Sequence, residues 1–268
     1  MIRLLKLELL KAKPAKFFWV LFIIFAAILI SIPFGVIGLG EKLATFLPPD
    51  FKLTNINFFF DWQDIWQNIT FTFQYVSYFF LNALVIIHVA REFSLKTARQ
   101  NVIDGLSKSQ FALSKIYFIV FMALGLTILT ALLCLIFGAI LSPSMPIGMM
   151  FENVEFIFGY FIHLVQSMTF GMLLAVLIRK PGIAVVVSFG YYWFDLLVSS
   201  IVTFPLKSPF LGSLFPVKSQ FGVIDSPFLK FGLMKVNTDL NLDALAISIG
   251  WIVIQCFLSH LLIKKRNL

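Results

Sequence analysis

Three histidines, His88, His163 and His260, and two cysteines, Cys134 and Cys256, are the side chains best suited to metal or nucleophilic chemistry, and all five fall inside long apolar runs. A zinc site needs three or four such ligands to converge, and neither HExxH nor CxxC spacing occurs. The cysteines therefore read as packing residues, His163 as part of a packed interior, and His88 and His260 as facing the cytoplasmic headgroups. Phosphate-cradling chemistry is approached only by GVIGLG at 35–40, where Glu41 follows instead of the Lys that reaches a nucleotide's phosphates. The chain is expected to be no enzyme, to bind no nucleotide of its own and to need no cofactor or metal. Asn68, Ile69 and Thr70 spell a glycosylation sequon, which is short enough to arise by chance.

One acid stands deep inside an apolar run: Asp195, in YYWFD with Tyr191, Tyr192 and Trp193. A charge near the middle of a span costs roughly 2.5–3.5 kcal/mol, so it needs a reason. Counting from Gly182 at a rise of about 1.5 Å per residue places it roughly 20 Å into the bilayer, past the midplane. Two roles stay open. Asp195 pairs with or hydrogen-bonds a neighbouring span, or is protonated, and locks helix packing, in which case the near-isosteric Asp195→Asn should be mild; or it lines a water-filled outer part of a substrate path among the three aromatic residues. Gln74, Asn82, Gln166, Thr169, Ser199, Ser200 and Gln255 are expected to join helices by hydrogen bonds worth about 0.6–2 kcal/mol each.

The most polar stretch is Arg91 to Lys115, an island between two apolar runs. At 3.6 residues per turn Leu95, Ala98, Val102 and Leu106 fall on one face, and Thr97, Gln100, Asn101 and Asp104 on the other. The pattern predicts a short two-faced helix along the membrane surface. Gly105 supplies its stop, and Ser107 with Gln110 three residues on predicts a capping box that starts the next helix.

The elements that hold these groups are membrane spans. With 60% hydrophobic and 13% charged residues, against about 25% charged in soluble domains, the chain reads as an all-α integral membrane protein forming one domain over 1–268. Six runs can cross roughly 30 Å of hydrocarbon: 17–39, 69–90, 110–141, 154–178, 182–204 and 244–263. The segments at 1–16, 91–115 and 179–180 and the C-terminus hold fifteen Lys and Arg against three acids, whereas the alternate loops hold six Lys against nine acids. The net charge of +8 thus reports orientation rather than nucleic-acid binding, and it predicts cytoplasmic termini.

Residues 1–16 read as an interfacial helix with Ile2, Leu5, Leu9 and Ala12 on one face. Leu4, Leu7 and Leu10 lie off that face, so its other side is a candidate to pack on protein. In 40–68, after Pro48, Pro49 and Asp50, Trp62 and Trp66 suit an amphipathic helix at the outer interface. Residues 205–243 interleave Pro205, Pro209, Pro216 and Pro227 with phenylalanines and are too apolar for a solvated loop.

Glu92 after a span, then Thr97, the break at Gly105, Lys108 and Lys115 at the next helix start together resemble the type 2 ABC exporter permeases. The resemblance extends over the whole arrangement: an N-terminal interfacial helix, six spans, a cytoplasmic coupling helix within 91–110 and an external re-entrant region at 205–243. It implies a permease subunit in the bacterial cytoplasmic membrane, working with a second permease subunit and a separate cytoplasmic ABC ATPase. The ATPase would be engaged through Glu92, Thr97, Gln100, Asn101, Asp104 and Gly105. Two other readings remain: a secondary carrier using Asp195, and an assembly or anchoring protein that transports nothing.

Overall fold

The computed structural model describes residues 2–46, 59–141, 146–206, 209–227 and 239–265, and every regular element among them is helical. In order these are α1 (Ile2–Ala12), α2 (Lys16–Phe46), α3 (Ile65–Ser94), α4 (Thr97–Ile103), α5 (Lys108–Leu141), a 3-10 turn at Ile147–Phe151, α6 (Glu155–Ile178), α7 (Pro181–Leu206), α8 (Pro209–Ser213), α9 (Pro216–Phe221) and α10 (Leu242–Lys265). Segments of α2, α3, α5, α7 and α10, and the stretch ending in α6, are six lengths long and apolar enough to cross a membrane. The chain is a membrane-embedded helical bundle, because a helix satisfies its own backbone where lipid cannot.

The second span departs from its expected limits. α3 begins at Ile65, and the two tryptophans expected on an interfacial helix are core residues instead. Trp62 lies in the turn before α3, over Gly138 of α5, where a Cβ would stand 2.5 Å from the indole. Trp66, in the first turn of α3, donates its Nε1–H to the Met150 carbonyl at 3.0 Å. Two indoles buried to 5% exposure or less contribute more in a core than at a headgroup surface, and the missing side chain at Gly138 makes the room. Pro48, Pro49 and Asp50 lie outside the described residues.

α3 and α6 form the centre. Their spanning segments are 67% and 78% buried, against 39% or less for the other four. α6 turns Gly159, His163, Ser167, Gly171 and Ala175 inward at four-residue spacing, a mostly small stripe that lets two backbones approach. At Gly171 a Cβ would lie 2.8 Å from Asn82 Oδ1 and 3.2 Å from the Asn82 carbonyl oxygen of α3. Polar groups tie the same seam: Asn82 Nδ2 donates to Ser167 Oγ at 2.9 Å, Ser77 and Tyr160 share a 2.6 Å hydroxyl contact, and His163 Nε2 lies 3.0 Å from the Gln74 carbonyl. Thr169 of α6 donates to Gln255 of α10 at 2.7 Å. The packed interior expected for His163 is observed, with His163 fully buried.

The bundle has two distinct ends. One gathers α1, the α3–α5 connection, the α6–α7 turn and the end of α10: Lys108 Nζ donates to the Lys264 carbonyl at 3.3 Å, and Arg179 lies 5.2 Å from the Phe93 ring. We refer to it as the basic end. At the opposite end Gln67 Nε2 donates to the Asp225 carbonyl at 3.0 Å, and Asn153 Nδ2 to the Gln63 carbonyl at 2.7 Å. α8 and α9 lie there, two short helices within the segment expected to be re-entrant; its residues 228–238 lie outside the described ones.

Candidate functional site

At the basic end five side chains from three helices share one buried ionic cluster. α1 supplies Glu8 and Lys11; α3 supplies His88 and Glu92, one turn apart on one face; α5 supplies Lys115. Glu8, fully buried, accepts four contacts: Lys11 Nζ and Ser114 Oγ reach Oε1 at 3.0 Å each, while Lys115 Nζ at 2.5 Å and His88 Nε2 at 3.0 Å reach Oε2. That saturates the lone pairs of a carboxylate. Glu92 pairs with Lys115 through Oε1 and accepts from Lys11 at 3.2 Å and from Asn101 Nδ2 at 3.3 Å through Oε2. The formal charges of two carboxylates and two ammonium groups cancel, the condition under which burying ions is tolerated. Phe111 lies 5.6 Å from Lys11 and 5.0 Å from Lys115, and His88 stacks on Phe118 at 4.7 Å.

Burial by itself would raise the Glu8 carboxyl, but the Lys115 ammonium, the His88 contact and Lys11 outweigh it and hold the group well below the ordinary carboxylate range. Glu8, His88 and Glu92 also bring three potential ligand atoms within 4.8 Å of one another, a donor set suited to a divalent cation. Lys115 Nζ bridges the same two carboxylates, so the ammonium stands where such a cation would bind.

The cluster shows which side of α1 packs on protein. Ile2 is 84% exposed and Leu9 37%, whereas Glu8 and Ala12 are the buried positions, with Leu4, Leu5 and Lys11 half-buried beside them. The inward face holds the acid with its four partners and Ala12, which packs with Phe18, Leu84 and Phe118. Glu8, Lys11, His88 and Ser114 were not recognisable as site residues from the sequence. The one available signal was Lys115, an ammonium inside the apolar run 110–141.

α4 does not continue α3. Lys96 adopts φ 58°, a left-handed conformation that favours Gly and ends α3 at Leu95. The helix phase is reset there, so Leu95 is 61% exposed rather than on the inward face with Ala98, which is buried. Gly105 takes φ 100° after α4. The capping box forms as expected: Gln110 N–H donates to Ser107 Oγ at 3.1 Å and Ser107 N–H to Gln110 Oε1 at 3.0 Å. Of the residues read as a docking surface, Thr97, Gln100, Asp104 and Gly105 are exposed. Gln100 Nε2 donates to Asp104 Oδ1 at 2.9 Å. Asn101 is half-buried on Glu92, and Glu92 itself points inward; both hold the elbow in place rather than present a surface.

Asp195 is not on a neighbouring span. Its two oxygens accept the backbone N–H groups of Val217 at 3.1 Å and Lys218 at 3.0 Å, the orphan donors of the first turn of α9 after Pro216. Tyr192 packs with Tyr78 and Val217, Tyr191 against Phe170, and Trp193 is 63% exposed on the outer face of α7.

Residues 50–268 match a single family model, which takes in α3, α4, α5, both short helices and α10. The chain belongs to the family described as protein of unknown function, DUF2705. No curated protein matches it. α1, which brings Glu8 and Lys11 to the cluster, precedes the matched residues, so this DUF2705 member completes its ionic centre with a helix outside the family match.

Proposed function

We propose that this DUF2705 protein is the membrane-spanning permease subunit of an ATP-driven exporter in the bacterial cytoplasmic membrane, with both termini cytoplasmic. A separate cytoplasmic ABC ATPase would supply the energy, and a second permease subunit would complete the path. The observation that carries this reading is the braced elbow α3–α4–α5. A coupling element must transmit force, so it needs an exposed polar face on a rigid mount. α4 offers Thr97, Gln100 and Asp104 outward, while Glu92 behind it is fixed to α1 and α5 through Lys11 and Lys115. α8 and α9 at the opposite end fit the re-entrant region of such permeases. A carrier built on Asp195 has less support, since both carboxylate oxygens are occupied by α9.

The test pairs the chain with the ABC ATPase that this reading requires in an adjacent reading frame. Gln100→Ala with Asp104→Ala, both exposed, should leave membrane insertion and thermal stability unchanged but abolish co-purification of the ATPase or substrate stimulation of its hydrolysis. Wild-type behaviour in both assays, or no adjacent frame with a Walker A and an ABC signature, would overturn the reading.

A further inference from the structure

A cavity of about 470 Å³ opens beside the ionic cluster, between the start of α2 and the last turns of α3. That is within the range of small-molecule sites. Its wall changes character along the α3 axis: Leu21, Leu84 and Ile87 line the inner part, and Arg91, Gln100 and Asn101 the mouth at the basic end. From Leu84 to Arg91 the polarity reverses over seven residues, roughly 10 Å of helix. A soluble metabolite has no use for such a gradient, whereas an amphiphile lying parallel to the spans matches it, head at the basic end and chain toward the middle of the bundle.

The charge at the mouth selects among amphiphiles. Lys11 and Lys115 are neutralised by Glu8 and Glu92. Arg91 is exposed, and its guanidinium has no partner among the described residues. The mouth therefore carries one uncompensated positive charge, in a planar fork that suits a phosphodiester, with the exposed Gln100 side chain alongside.

We propose that this cavity is a specific site for one anionic glycerophospholipid, its phosphate on Arg91 and an acyl chain along Leu21, Leu84 and Ile87. Such a lipid would fill the gap beside α2, whose spanning segment is only 17% buried, and would bear on the same α3 turn that carries Glu92. Lipid binding requires no ATPase, although Gln100 at the cavity mouth also lies on the face proposed to meet that partner.

Native mass spectrometry of the full chain from detergent micelles doped with phosphatidylglycerol or phosphatidylcholine tests it. One phosphatidylglycerol per chain should be retained in preference to phosphatidylcholine, and Arg91→Gln should weaken retention about tenfold, the equivalent of one charge-assisted hydrogen bond. Lys96→Gln, an exposed charge at the same end outside the cavity, should change nothing. Leu21→Trp, which fills the apolar part, should also expel the lipid, and millimolar inorganic phosphate should not. Equal losses in Arg91→Gln and Lys96→Gln would reduce the effect to diffuse surface attraction and overturn the proposal. Displacement by phosphate with Leu21→Trp silent would overturn it in favour of a free-anion site.

Discussion

Asp195 shows how a single buried acid can be structural without an ionic partner. The carboxylate substitutes for an N-cap across 22 residues of sequence, taking two amides of α9 that Pro216 and Phe215 leave open. This changes the expectation for its substitutions. Asn matches Asp in shape but offers one acceptor oxygen, so Asp195→Asn satisfies one of the two amides and turns an NH₂ toward the other. We expect Asp195→Asn to lose about 1–3 kcal/mol, the range for an unsatisfied buried donor, and Asp195→Leu to lose more. Thermal unfolding in detergent measures both, and a fully stable Asp195→Asn would show that the two bonds to α9 contribute little. The sequence made the cost of Asp195 legible, since an acid in YYWFD needs a reason. It could not reveal the partner, because backbone N–H groups leave no trace in residue identity. The same holds at His163, where the contact is the Gln74 carbonyl.

Among elements, α1 is the least expected. It packs through both Glu8 and Ala12, so of the apolar face read from the sequence Ala12 is buried while Ile2 and Leu9 are exposed. The six long helices, by contrast, were legible within a few residues, since an apolar run of span length has only one stable conformation in lipid. Two ran beyond their limits: α2 continues as helix to Phe46, and α3 starts early, where Trp66 and Gln67 were polar enough to read as loop but are buried and hydrogen-bonded. Removing either charge of the α1 anchor separates the two partners' roles. Lys115→Met leaves two carboxylates facing each other with Lys11 alone between them, and should cost roughly 3–5 kcal/mol. Glu8→Gln leaves Lys115 its bond to Glu92 and should cost less. The Glu8 carboxyl is lowered in the folded chain, so its contribution is complete above its ordinary value of 4.5 and is lost as pH falls below that. Wild-type thermal stability should therefore drop on acidification below about pH 4.5, more steeply than in Glu8→Gln. Identical acid limbs in the two proteins would place the titration in another group.

For the whole molecule, the division of charge is the feature that turns a bundle into an oriented one. In the sequence, 1–16, 91–115, 179–180 and the C-terminus hold fifteen Lys and Arg against three acids, and two of those acids, Glu8 and Glu92, are buried in the ionic cluster at the basic end. Lys11 and Lys115 neutralise them, so the net positive excess of those segments is carried by their remaining Lys and Arg, and positive segments are retained in the cytoplasm. The packing order was not legible in the same way: α3 and α6 are no more hydrophobic than their neighbours, and their central position comes from polar and small residues such as Asn82, Ser167 and Gly171 that only meet in three dimensions. Orientation can be read directly with one cysteine at a time in a chain whose Cys134 and Cys256 are replaced by Ala. Gln100 and Glu152 are both exposed, at the basic and opposite ends, so neither substitution disturbs packing. In intact cells a membrane-impermeant maleimide should label Glu152→Cys at once and Gln100→Cys only after permeabilisation. The reverse pattern would put α4 outside the cell, where no ATPase has ATP to hydrolyse, and the exporter proposal would fall with it while the fold, the ionic cluster and the lipid cavity would stand.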